Sequence, residues 1–128
     1  MIRLISIIAL QLALVACGDD SPAAPSSPGV GLVQNATSSG LPTVAEFGAE
    51  TCDSCREMKV VLDSVARQTQ GRAHVLVIDI TKDWSSAQFF RIQMMPTQIF
   101  FDPNGREVWR HMGKLSEAEV IARLGIKR

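Results

Sequence analysis

The chain has 128 residues, with 13 Lys and Arg against 13 Asp and Glu, and 46% of its residues are hydrophobic. That length limits it to one domain plus short appended segments, and the even charge offers no basic face for a nucleic-acid backbone. Three cysteines are too few for a disulfide scaffold, and the odd number leaves at least one of them outside any intrachain pair.

At the N-terminus, Arg3 precedes an apolar run over residues 4–16 that is broken only by Ser6 and Gln11. The run is short for a membrane span, which takes about 20 residues. It has the length of a signal-peptide core, so residues 1–16 are set aside from the fold. Its end, Leu14-Val15-Ala16-Cys17, resembles the lipobox of bacterial lipoproteins. That resemblance implies a diacylglyceryl group on the Cys17 sulfur, with Cys17 as the first mature residue and the protein held to a membrane of the bacterial cell envelope. Gly18 rather than Asp follows, which in a Gram-negative cell implies sorting to the periplasmic side of the outer membrane.

Residues 17–40 change composition to Ser, Pro, Ala, Gly and Asn, as in Ser21-Pro22-Ala23-Ala24-Pro25-Ser26-Ser27-Pro28-Gly29. Such a stretch buries too little apolar surface to offset its ordering entropy and reads as a flexible, proline-stiffened tether.

Residues 41–128 remain for one folded domain. Residues 43–48 form a β-prone run. Residues 52–70 carry Cys55, Met58, Leu62, Val65 and Thr69 at helical spacing, with Gly71 as the stop. Residues 73–80 predict a strand buried on both faces, and residues 83–90 a short helix with Asp83 as N-cap. Residues 96–101 are a further strand, and Asp102-Pro103-Asn104-Gly105 is a turn that returns residues 107–112 as the second arm of a hairpin. Ser116 and Glu119 have capping-box spacing at the start of a last helix. The order β-α-β-α-β-β-α predicts an α/β fold with a mixed sheet, a parallel start and an antiparallel end. Trp84 and Trp109 are expected to pack in the core or at its rim.

Cys52-Asp53-Ser54-Cys55 lies where the first strand feeds the first long helix. A Cys-x-x-Cys beside a βαβ pattern reads as a redox motif, because a helical first turn brings both sulfurs within bonding reach. The unpaired amides of the helix start favour a Cys52 thiolate. Cys52 then attacks a substrate disulfide and Cys55 resolves it.

With Met95-Pro96-Thr97 ahead of Gln98-Ile99-Phe100-Phe101 and the Asp-Pro-Asn-Gly turn, residues 41–128 resemble a thioredoxin-family domain. The resemblance implies a three-layer sandwich of about four strands with flanking helices, in which the family's first strand and helix are missing. It also implies a cis bond before Pro96, and it places Met95, Pro96 and Thr51 against the client peptide. Glu46 takes the place of the family's buried carboxylate and is implied to move a proton to or from Cys55. The alternative is a solvent-facing glutamate on an edge strand.

Several residues depart from the family pattern. Thr51 stands where the family has Trp, which removes an aromatic lid. Asp53 puts a negative charge near Cys52 and opposes thiolate formation, while Ser54 offers a weak hydrogen bond. These departures point to a reducing rather than a strongly oxidising couple. The expected partners are client proteins with disulfides or thiols, an unidentified redox partner and the membrane. The domain is expected to act as a monomer.

No cofactor is implied. Cys52, Cys55, His74 and His111 lack the spacing of a zinc site, and Arg56 stands where c-type haem attachment needs His. The competing function is a non-catalytic client- or metal-binding module of the same fold, in which Cys52 and Cys55 form a structural disulfide.

Overall fold

The computed structural model describes residues 27–126. The expected signal sequence, Cys17 and the first part of the predicted tether lie outside the described residues. Among the described residues, four helices and four strands follow one another. They are α1 (Pro28–Thr37), β1 (Thr43–Gly48), α2 (Asp53–Gln68), β2 (His74–Asp79), α3 (Trp84–Phe89), β3 (Thr97–Phe101), β4 (Glu107–Met112) and α4 (Glu117–Leu124).

The strands form one sheet in the order β2-β1-β3-β4. β1 runs parallel to β2, and both β1–β3 and β3–β4 are antiparallel. Helices α1 and α3 cover one face, where Val33, Phe47, Ile78, Ala87 and Ile99 pack together. Helices α2 and α4 cover the other, where Met58, Leu62 and Val120 pack on Val44 and Phe100. The result is the expected three-layer α/β sandwich around a mixed four-stranded sheet.

Two expectations are corrected. The first concerns the end of the predicted tether and the missing first helix. Residues 28–37 form α1, which packs on the sheet. Its start is well specified: the Ser27 side chain accepts from the Val30 amide as N-cap and Pro28 opens the first turn. Val30, Val33 and Ala36 then fall on one buried face. The Asp83 carboxylate accepts from Ser27 Oγ at 2.5 Å and from the Gly29 amide at 2.7 Å, which ties α1 to the start of α3. Gly29 is needed there, because a Cβ would stand 2.8 Å from Asp83 Oδ2 and 2.9 Å from Ile78 Cγ2. The polar and small residues of this stretch hide a helix whose ordering is offset by tertiary packing.

The second correction concerns β2, which is an edge strand and not one buried on both faces. Its apolar run is half-buried, with Val77 exposed. Trp84 likewise lies out of the core, at 62% exposed. Trp109 is half-buried, packs on Phe100 and carries the Arg123 guanidinium 4.0 Å over its ring.

The remaining local signals match the structure. Asp83 caps α3 by accepting from the Ser86 amide. Ser116 and Glu119 complete a capping box on α4. Gly105 in the hairpin turn has φ +77°, which only glycine adopts without strain.

Candidate active site

β1 ends at Gly48 and the chain reaches α2 through a short turn, in which the Cys52 amide donates to Ala49 O. Cys52 is the N-cap of α2 and is half-buried, while Cys55, one turn on, is buried. The two cysteines stand at disulfide distance with Cα atoms 5.2 Å apart. The Cys55 amide points at Cys52 Sγ at 3.3 Å, and Ser54 Oγ lies 3.3 Å from the same sulfur. The helix start therefore sets the Cys55 amide and the Ser54 hydroxyl against the Cys52 sulfur. Asp53 does not face the sulfur as a lone charge, because its exposed carboxylate is ion-paired with Arg56.

The Met95–Pro96 peptide bond is cis. Phe47 at the end of β1 is opposite Thr97 at the start of β3. The Met95-Pro96 turn therefore lies at the end of the sheet where β1 runs on toward Cys52. Pro96 is buried, its carbonyl accepts from the Gly113 amide, and Met95 and Thr51 are exposed. Thr51, Met95 and Pro96 are thus all placed at or near this end of the sheet.

Glu46 lies on β1, an interior strand, and is 1% exposed. This removes the solvent-facing edge alternative. Neither carboxylate oxygen has a hydrogen-bond partner. Burial pushes its pKa from 4.5 up to about 7, with Lys59 opposing the shift and Asp63 adding to it. A cleft of about 370 Å³ reaches Glu46 and Cys55 between β1, β2 and the first turns of α2, and Gly48, Arg56, Lys59 and Asp79 also line it.

Gly48 explains how the acid and the thiol come together. A Cβ at this residue would stand 3.2 Å from both Cys55 Sγ and Glu46 Oε1, so these two atoms lie at most twice that distance apart.

Two site residues escape sequence reasoning, Gly48 and Gln98. Gln98 is fully buried, and neither its amide nitrogen nor its carbonyl oxygen has a partner. The available signal was a glutamine inside the otherwise apolar strand Ile99-Phe100-Phe101, two residues after the proline. Among the described residues, no three His, Cys, Asp or Glu side chains converge as a metal site.

A family model described as thioredoxin matches residues 33–125, from within α1 to the C-cap of α4. The chain is 33% identical over 84 residues to the chloroplastic thioredoxin-like protein HCF164 of Oryza sativa subsp. japonica, which covers 64% of this chain and 32% of that protein. It is 35% identical over 63 residues to thioredoxin-1 of Drosophila melanogaster, which covers 49% of this chain and 59% of the fly protein. The chain thus spans less than two thirds of the length of these curated relatives. Among solved structures, the crystal structure of chloroplastic thioredoxin z superposes with a TM-score of 0.68 at 25% identity, covering 76% of this chain and 87% of that one.

Proposed function

Because the chain belongs to the thioredoxin family, we propose that it is a thiol–disulfide oxidoreductase of the bacterial cell envelope that reduces disulfides in client proteins. The observation that carries this reading is the Cys52–Cys55 pair itself, with one sulfur at the helix start and the other buried beside a carboxyl group of raised pKa.

In the reduced chain, the donors around Cys52 favour its thiolate. The thiolate attacks one sulfur of a client disulfide lying against Met95 and Pro96, with Thr51 at the rim. A mixed disulfide forms and the first client sulfur leaves as a thiolate. The Glu46 carboxylate then takes the Cys55 proton, and the Cys55 sulfur attacks Cys52. The mixed disulfide breaks and the second client sulfur leaves. Two electrons have passed to the client, and Cys52 and Cys55 end as a disulfide that an external thiol donor reduces again. With its pKa near 7, Glu46 can both accept and return a proton close to neutrality.

The envelope assignment rests on Leu14-Val15-Ala16-Cys17. With α1 beginning at Pro28, residues 18–26 serve as the spacer between a lipid on Cys17 and the folded domain. In cells fed labelled lipid, Cys17→Ala should abolish labelling of the protein, and persistent label would remove the anchor from the account.

The test of activity is a Cys55→Ala variant, which leaves Cys52 able to attack and unable to be resolved. Client proteins should accumulate on Cys52 as adducts released by reductant. Their absence from cells that express the folded variant would contradict the mechanism.

A further inference from the structure

Glu46 has two cross-strand neighbours on its face of the sheet, Val77 of β2 and Gln98 of β3. Val77 has nothing to offer a carboxyl group. Gln98 is fully buried with both ends of its amide unpartnered, beside a carboxyl group whose two oxygens are also unpartnered. Cross-strand partners in an antiparallel pair hold their Cβ atoms about 5 Å apart, and side chains of this length cover that separation by rotation. Two adjacent buried polar groups, each left unsatisfied, cost far more than the same groups paired. Beyond Gln98 in the same row is His111 of β4, whose Nε2 already meets Lys114 O and whose ring stacks on Trp109. It makes no hydrogen bond to the Gln98 amide, both ends of which are unpartnered.

We propose that Gln98 is the positioning residue for Glu46, holding the carboxyl group toward Cys55 in both of its protonation states. The chemistry of the amide suits this role. Its N–H donates to the carboxylate before the proton arrives, and its carbonyl accepts from the carboxylic acid afterwards. No apolar, cationic or anionic side chain at this point serves both states. The bond to the carboxylate is charge-assisted and the stronger of the two, so Gln98 favours the form of Glu46 that takes the Cys55 proton.

The other titratable groups around Glu46 are fixed elsewhere. Lys59 is bonded to Asp63 on α2, Arg56 to Asp53, and Lys82 to Glu50 and Asp79 at the rim of the cleft. From α4, Glu119 engages Ser116 and Arg123 lies over Trp109.

This inference rests on the proposed proton transfer between Glu46 and Cys55, and the experiment separates the two. The whole reduced chain is mixed with a dithiobis-nitrobenzoate disulfide, and release of the coloured thiol is followed from pH 5 to pH 9. The first release reports attack by Cys52 and the second reports resolution by Cys55. Gln98→Leu should move the midpoint of the second-release profile up by about one pH unit, an effect of about tenfold at a fixed pH below it, and leave the first release unchanged. Gln98→Met, unbranched like glutamine, should do the same and guards against a packing defect in the leucine variant. In a Glu46→Gln background, Gln98→Leu should have no further effect. If Glu46→Gln flattens the second-release profile and neither Gln98 variant moves it, Gln98 is not a positioning residue and the proton transfer stands. If Glu46→Gln leaves the profile as it was, both are overturned.

Discussion

Under α1 and α3, strands β1 and β3 present Ala45, Phe47, Ile99 and Phe101, a row that does nothing but fill space. Under α2 and α4, the same two strands present Val44 and Phe100 beside Glu46 and Gln98, both buried without partners. A strand's two faces are independent because side chains alternate with period two. One face can therefore supply the burial that lets the other hold a carboxyl group out of water. The unfavourable environment of Glu46 is therefore local to one face, and substitutions should separate stability from chemistry along that line.

The largest effect is expected on the first face. Phe47 is fully buried with its ring 4.9 Å from that of Phe90, so Phe47→Ala should cost about 3–5 kcal/mol in a denaturant melt. Thiol exchange should be lost only in step with the folded fraction. Loss of exchange from a fully folded variant would mean that the faces are not separable.

On the second face, stability should respond in the opposite sense. The folded chain binds the Glu46 proton more tightly than the unfolded chain does, its pKa being raised from 4.5 to about 7. The stability contributed by this proton is fully present below about pH 4.5 and is lost as pH rises through 7. Glu46→Gln should then stabilise the fold by up to about 3 kcal/mol at pH 8 and by almost nothing at pH 4, while slowing resolution by Cys55. Denaturant midpoints at the two pH values check this, and equal shifts at both would show that ionisation is not the cause.

Smaller again is Gly48→Ala. Its new methyl would meet Cys55 Cβ at 3.1 Å and both Cys55 Sγ and Glu46 Oε1 at 3.2 Å. Overpacking of this kind costs about 1–3 kcal/mol. The methyl would also crowd both the acid and the thiol, so the second thiol release should slow more than the first. The smallest effect belongs to Ser116→Ala, which removes the capping box of α4 for about 1 kcal/mol. It touches none of the residues lining the cleft, and both release steps should keep their rates.

The fold was legible where local chemistry sets local structure. Residues 43–48 match β1 to the residue, and Asp83, Gly105 and Ser116 mark a cap, a turn and a cap where the structure has them. It was not legible where tertiary contacts decide. β2 has the composition of an interior strand and lies at an edge, because β3 takes the other side of β1. α1 is held by Asp83, 54 residues away from Gly29 in the chain, and its composition reads as spacer. Of the site, the Cys52–Cys55 spacing and the Met95-Pro96 turn are visible as motifs. The burial of Glu46 follows from strand order, and the contribution of Gly48 from a missing side chain. That Glu46 and Gln98 stand opposite each other follows from register, which neither residue reveals alone.

As a redox centre, the Cys52–Cys55 pair must open and close within a folded domain. The direct measurement is equilibration of the whole chain at pH 7 in dithiol buffers of stepped reducing strength, scoring free Cys52 and Cys55 by alkylation and folding by circular dichroism. A catalytic pair gives a reversible two-electron transition in the range spanned by thioredoxins and glutaredoxins, about −200 to −270 mV, with the fold intact on both sides. A pair that stays oxidised to below about −300 mV, or that opens only as the domain unfolds, would be a structural disulfide and would contradict the redox role.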